Sequence, residues 1–288
     1  MTSGWNTTTH LANPVAIGVA TGTSSGVTLT SGAANTKGSW TAVIASTASD
    51  ITHLMVCISN YNGALVGAGG PQGAIDIAVA ASGSEASGIL IQNLLVPILS
   101  GTGEHFFLPV GQIPASSRIA VRFASTMASD TLSISMVGFE SGWSSNSNCG
   151  LWDTYGWSGS GAVQGFSVDP GTTINTKGAY TVLSASTSND YQGFFLTWDV
   201  LNRNSSTGSY QNYLIDLSLG VAASEKPILP NILLGKNSFT GGVLWGPKTT
   251  HYMPIPIAAA SRLTCRAQCF NATALDRLFG VSFYGLRA

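Results

Sequence analysis

The chain has 288 residues and a formal net charge of −1, and only 9% of its residues are charged, against the roughly 25% usual in soluble domains. Its 44% hydrophobic residues recur in regular runs, which excludes a disordered chain. With no basic stripe, nucleic-acid binding through phosphates has no electrostatic support, whereas a surface so poor in charge suits permanent contact with other protein.

The opening residues, Met1-Thr2-Ser3-Gly4-Trp5-Asn6, contain neither a basic n-region nor an apolar h-region. No signal peptide is expected, and synthesis in a cytoplasm is expected with that. The longest apolar stretch, Ile89 to Leu99, is broken by Gln92, Asn93 and Pro97, so no membrane insertion is expected.

Asn35-Thr36-Lys37-Gly38-Ser39-Trp40-Thr41 leads into a short strand, and Ala45-Ser46-Thr47 with Asp50 then turns the chain into a long buried strand, Ile51 to Ser59. The next strand, Ile75 to Ala80, carries Asp76 among apolar neighbours, a position expected to face solvent or cap backbone. Ser84-Glu85, Ile91-Gln92-Asn93-Leu94-Leu95 and the turn Ile113-Pro114-Ala115-Ser116-Ser117-Arg118-Ile119 follow. Arg118 opens an alternating strand, where its guanidinium is expected to tie down loop carbonyls. Leu132 to Phe139 closes the unit, and a polar stretch with turn chemistry, Glu140 to Asn148, comes after it.

Then the chain repeats itself. Asn175-Thr176-Lys177-Gly178-Ala179-Tyr180-Thr181 lies 140 residues after its first copy, and Ala185-Ser186-Thr187, Asp190 and Ile215-Asp216-Leu217 keep that offset. Ser224-Glu225, Leu229-Pro230-Asn231-Ile232-Leu233 and Ile257-Ala258-Ala259-Ala260-Ser261-Arg262-Leu263 complete the series. So long a period denotes two whole domains rather than a solenoid, here residues 1–140 and 141–288. Many short strands, turn signals about every ten residues and scarce helical stripes predict an all-β chain of two tandem jelly-roll-like β-sandwich domains.

Chemistry is thin. There is no Gly-x-Ser-x-Gly elbow in a strand-to-helix context, no phosphate-binding glycine loop and no His-Glu-x-x-His. Cys265 and Cys269 lack the further ligands that zinc needs, and together with Cys57 read as small buried thiols. Several acids are duplicated, which fits turns and caps better than one active site. A glycosidase would need two unmatched acids about 5 to 9 Å apart. No enzyme activity, cofactor or metal is expected. The candidate contact residues are aromatic: Trp143, Trp152, Tyr155 and Trp157 at the entry to the second unit, and Tyr210 and Tyr213 beside the Asn-rich stretch from Asn202 to Asn212. Exposed, they would stack on a sugar or anchor a protein partner; folded back, they would cover the end of a sandwich.

The Asn-Thr-Lys-Gly-x-(Trp/Tyr)-Thr phrase, the Ala-Ser-Thr turn, the Ile-Asp-Ile strand, the Ile-x-Asn-Leu-Leu segment and the Ile-Pro-Ala-x-Ser-Arg-Ile turn together resemble virion structural proteins of tailed bacteriophages and related gene transfer agents. The second copy is looser, with Ala258 standing where the first has Pro114 and with Pro230 and Pro254 altering strand ends. The resemblance implies a non-enzymatic virion protein that forms a homo-oligomer and binds capsid or tail components, as a capsid decoration or a head or tail accessory. Its alternative is a glycan-binding adhesin or spike component that contacts the host surface.

Overall fold

Strands that alternate large apolar with small or polar residues have one face to bury, and here they bury it sheet against sheet. The computed structural model describes residues 14–19, 26–59, 73–96, 104–140, 150–157, 165–200, 210–237, 248–270, 273 and 277–288. The first half supplies β1 (Pro14–Ile17), β2 (Val27–Thr30), β3 (Thr41–Ile44), β4 (Ile51–Ser59), β5 (Gly73–Val79), β6 (Ile89–Val96), β7 (Glu104–Ile113), β8 (Ile119–Ser125) and β9 (Thr131–Phe139). The second supplies β10 (Trp152–Tyr155), β11 (Phe166–Val168), β12 (Thr181–Ser184), β13 (Tyr191–Val200), β14 (Tyr210–Leu219), β15 (Lys226–Asn237), β16 (Lys248–Thr249), β17 (Leu263–Cys269) and β18 (Phe279–Arg287).

In the first half a five-stranded sheet runs β1-β9-β4-β7, with β2 also on β9, and faces a four-stranded sheet β3-β8-β5-β6. The second half repeats both orders, as β10-β18-β13-β16 with β11 on β18, and as β12-β17-β14-β15. The chain passes between sheets along the double Greek-key path of a jelly roll, the first strand of each copy being split in two. The all-β, tandem jelly-roll expectation holds. Strand pairing changes from one half to the other between Phe139 and Trp152. The segment 141–149, which contains the polar linker and Trp143, lies outside the described residues.

Register puts matching strand positions of the two copies in matching cross-strand pairs. His53 opposes Phe139 and Met55 opposes Val137 in one half; Gly193 opposes Leu286 and Phe195 opposes Tyr284 in the other. Gly138 and Gly285 are therefore equivalent, and both are required by close approach. A Cβ on Gly138 would lie 2.7 Å from Ile51, and one on Gly285 2.7 Å from the Tyr191 ring.

Leu54, Val56, Ile58, Leu132, Ile134 and Met136 fill the first core, and Phe194, Leu196, Phe279, Val281 and Phe283 the second. The first core does not stop at its own half. Trp152, Phe195, Tyr284 and Leu286, from the outer face of the second half's five-stranded sheet, pack into the same cluster. Tyr284 is fully buried, and its hydroxyl donates to the Asn93 carbonyl at 2.8 Å while accepting the Leu95 N–H at 3.0 Å. Those are backbone groups of β6, the edge of its sheet, and without the hydroxyl they would be buried and unmatched. Tyr284→Phe is expected to lower the unfolding free energy by about 1–3 kcal/mol, measured by urea denaturation, with the native fold retained.

Candidate functional site

The repeated motifs come together around one buried carboxylate in each half. Asp76 points outward from β5, yet it is fully buried because the Asn35–Thr41 segment lies across that face. Its Oδ1 accepts from Lys37 Nζ at 2.8 Å and from the Asn93 N–H at 2.7 Å, and its Oδ2 from Arg122 Nε at 2.7 Å. Asp216 repeats this with Lys177 at 2.8 Å, the Asn231 N–H at 2.9 Å and Arg266 at 2.9 Å. Arg122 lies 4.5 Å over the Trp40 ring and Arg266 4.5 Å over the Tyr180 ring, which accounts for the aromatic position in the motif. Asn93 and Asn231 sit at φ 53 and φ 54, where a bulge shifts the β5–β6 and β14–β15 registers, and the aspartate caps the N–H that the bulge frees. These aspartates were expected to face solvent or to cap backbone; they cap backbone, and the lysine segment keeps solvent from them.

The remaining repeated residues tie turns. Arg118 Nη1 bonds the Ala80 carbonyl at 3.3 Å and Glu85 at 2.8 Å, and Arg262 bonds Gly220 at 3.0 Å and Glu225 at 2.8 Å. Thr47 and Thr187 receive the Ser117 and Ser261 N–H groups, each at 3.0 Å. Asp50 and Asp190 accept from the Ala115 and Ala259 N–H groups, each at 2.7 Å.

The predicted aromatic contacts are mostly spent inside the molecule. Trp152 is 4% exposed, lies 5.0 Å from Phe195, and donates its indole N–H to the Pro109 carbonyl at 2.9 Å. Tyr213 is 3% exposed against Phe279, at 4.9 Å. Neither ring is offered to an external sugar, a correction with two causes: the first half covers Trp152, and the two sheets of the second half enclose Tyr213. Tyr155, half-buried, shares hydrogen bonds of 2.7 Å with Ser188 and with Tyr191. Trp157, also half-buried, packs on Ala74, Leu95 and Ala124 of the first half. Trp143 and the side chain of Tyr210 lie outside the described residues.

Trp152 and Trp157 thus line a seam between the halves, together with Phe195, Tyr284 and Leu286, which sequence reasoning missed, whereas Tyr155 packs on the second half's own core. Phe195 and Tyr284 stack at 4.7 Å, and Thr154 donates to the Gln92 carbonyl at 2.5 Å. A signal for them was present: at equivalent strand positions Met55, Val137 and Phe139 become Phe195, Tyr284 and Leu286, so the copies diverge along one face.

Asp153 is a further heavily bonded acid of the second half. It holds Arg287 and accepts from Asn189 at 2.7 Å and Tyr191 at 2.8 Å. Burial opposes its charge, but Arg287, Asn189 and Tyr191 outweigh that and keep its carboxyl below the ordinary range. Such a carboxylate is already saturated as an acceptor. Cys265 and Cys269 lie in the second core, and burial pushes the Cys265 thiol up to about 12. Among the described residues, no three His, Cys, Asp or Glu side chains gather as a metal site.

No protein-family model matches the chain, and no curated protein matches it in sequence. Solved structures similar to it include a viral major capsid protein, the STIV MCP, over 91% of this chain and 96% of that one, at 10% identity and a TM-score of 0.40. PNGF-II matches over 95% of this chain and 65% of its own, at 11% identity and 0.41. The CBM22-1-CBM22-2 tandem domain of Paenibacillus barcinonensis Xyn10C matches over 86% and 83%, at 11% and 0.28. Likenesses this slight transfer no residue, ligand or role, and no sequence match ties the chain to tailed phages.

Burial of Asp216 opposes its charge, while Lys177, the Asn231 N–H and Arg266 more than offset that and hold its carboxyl low. A carboxyl lowered by folding stabilises the fold fully above its unfolded pKa of about 4, and that contribution is lost as pH falls through the folded value. Asp216→Asn is expected to cost about 3 kcal/mol at pH 7, the low end for a broken buried pair because Lys177 and Arg266 are partly in water. Urea denaturation at pH 7 and pH 3 should show a shallower loss in the variant than in the wild type.

Proposed function

We propose that the chain is a non-enzymatic structural protein of a viral particle, of the tailed-phage kind its repeats resemble. It assembles as an oligomer with other virion proteins, as a capsid decoration or as a head or tail accessory. The observation that carries the reading is where the repeated polar residues go. Lys37, Asp76, Glu85, Arg118 and Arg122, and their second copies, are bonded to one another across strands, so each half uses its charge to hold its own shape. What such a molecule offers a partner is two similar rigid sandwiches with a weakly charged surface, which is what repeated contacts in a shell or accessory structure need.

The glycan-contact alternative rested on six aromatic residues, of which Trp152 and Tyr213 are enclosed. No feature of the described residues favours it over assembly.

The test is to purify particles on a density gradient from cells carrying the gene at its native locus, then to quantify the chain and locate it by cryo-EM. The chain is expected at many copies per particle, as ordered density bonded to shell or tail proteins. Particles that retain infectivity and contain none of it would overturn the reading.

A further inference from the structure

The two buried aspartates hold equivalent bulges, and the edges they hold have different fates. Asp76 accepts the Asn93 N–H at 2.7 Å and Asp216 the Asn231 N–H at 2.9 Å. Two residues further along, Leu95 is fully buried against the second half, whereas Leu233 is 67% exposed.

The β6 bulge is where the first half meets the second. Asn93 takes φ 53, and the pairing of β5 with β6 slips between Ile75 and Ile77. The slip leaves the Asn93 N–H to the carboxylate and turns its neighbours outward. The Gln92 carbonyl accepts from the Thr154 hydroxyl at 2.5 Å, the Asn93 carbonyl accepts from Tyr284 at 2.8 Å, and the Leu95 N–H donates to Tyr284 at 3.0 Å. Three hydrogen bonds across the seam thus come from backbone groups within two residues of one capped N–H. Lys37, which bonds Asp76, also donates to the Ala74 carbonyl at 3.1 Å. Ala74 lies with Leu95 and Ala124 under the Trp157 ring. The network therefore reaches both the edge that Tyr284 closes on and the floor that Trp157 rests on.

A bulge is a one-residue displacement, and losing it turns the residues on one side of it to the opposite face of the sheet. Leu94 would then leave the core for the outer face, and the Asn93 carbonyl and the Leu95 N–H would no longer flank the Tyr284 hydroxyl. What holds the bulge is an acceptor for the N–H it frees. That acceptor is a carboxylate fixed in place by Lys37 and Arg122.

We propose that Asp76 is a positioning residue for the contact between the halves: with Lys37 and Arg122 it holds the β6 bulge in the form that Thr154, Trp157 and Tyr284 close on, and so latches the second half to the first. Asp216 is the built-in control. It makes the same bonds to Lys177, Arg266 and Asn231, but the first-half residue that matches Tyr284 is Val137, which has no hydroxyl to bridge such an edge. Coupling between two sites is reciprocal, so Tyr284 in turn steadies the bulge. The inference does not depend on the virion reading and is tested on the purified chain.

Amide hydrogen exchange of the full chain, followed by NMR under native conditions, reads the seam at the Leu95 N–H and the body of the first half at the Val56 N–H of β4. Asp76→Asn should speed exchange at Leu95 about tenfold or more beyond any change at Val56, the worth of one hydrogen bond to a charged group. Asp216→Asn should leave the ratio of Leu95 to Val56 at its wild-type value. Tyr284→Phe should speed exchange of the Asn93 N–H relative to Val56, although that N–H bonds to Asp76 and not to the ring. Adding Asp76→Asn to Tyr284→Phe should then speed Leu95 by less than Asp76→Asn does alone. Equal acceleration of Leu95 and Val56 in Asp76→Asn overturns the proposal, because Asp76 would then serve only the stability of its own half. Equal effects of the two aspartate substitutions on Leu95 overturn it as well. If Asp76→Asn does not fold, Tyr284→Phe decides alone: an Asn93 N–H unchanged relative to Val56 overturns the latch, and a faster one sustains it.

Discussion

The structure depends on an aspartate buried on the outside of a sheet. Asp76 and Asp216 leave β5 and β14 on the face away from the core, where a carboxylate ordinarily stays in water. Each is sealed by the Asn-Thr-Lys-Gly segment, which brings a lysine to one oxygen while the neighbouring strand brings an arginine to the other. Removing a carboxylate from water costs several kcal/mol, recovered only when its acceptor sites are filled. Here a third bond, from a bulge N–H, helps fill them. The network therefore fixes three things at once: the segment entering β3 or β12, the bulge in β6 or β15, and the pairing of β5 with β8 or β14 with β17. Losing any member strands the others, which gives a physical reason for all of them to appear in both copies.

That shared frame lets the two halves diverge elsewhere. The outer face of the five-stranded sheet carries Val137 and Met55 in one copy and Tyr284 and Phe195 in the other, at the same register. In the second copy the larger rings fill the space beneath the β6 edge, and the tyrosine hydroxyl satisfies two backbone groups of that edge. One scaffold thus carries an internal contact on one half and smaller side chains at the matching positions of the other.

Much of the architecture was legible in sequence. The repeat predicted two equivalent sandwiches, and the alternation in Leu54, Val56 and Ile58 and in Phe279, Val281 and Phe283 marked the faces that fill their cores. The turn roles of Arg118, Arg262, Asp50 and Asp190 were also readable, because a polar residue repeated beside a turn has few bonding groups within reach. The aromatic residues were harder. Trp152 and Tyr213 in a Ser- and Asn-rich context read equally as exposed platforms or covered rings, since local composition does not record what packs above a strand.

The sequence by itself determined the elements and their duplication: strand periodicity, bulge asparagines and turn residues are local properties that each stretch of chain carries with it. Only the tertiary structure decided which faces are covered. Asp76 is buried because a segment some forty residues earlier crosses it, and Leu95 is buried because Tyr284, from the last strand, lies against it. Leu233, its equivalent in every local respect, remains exposed. Burial is set by what arrives from elsewhere in the chain, and two segments with the same local pattern receive different neighbours when one half leans on the other.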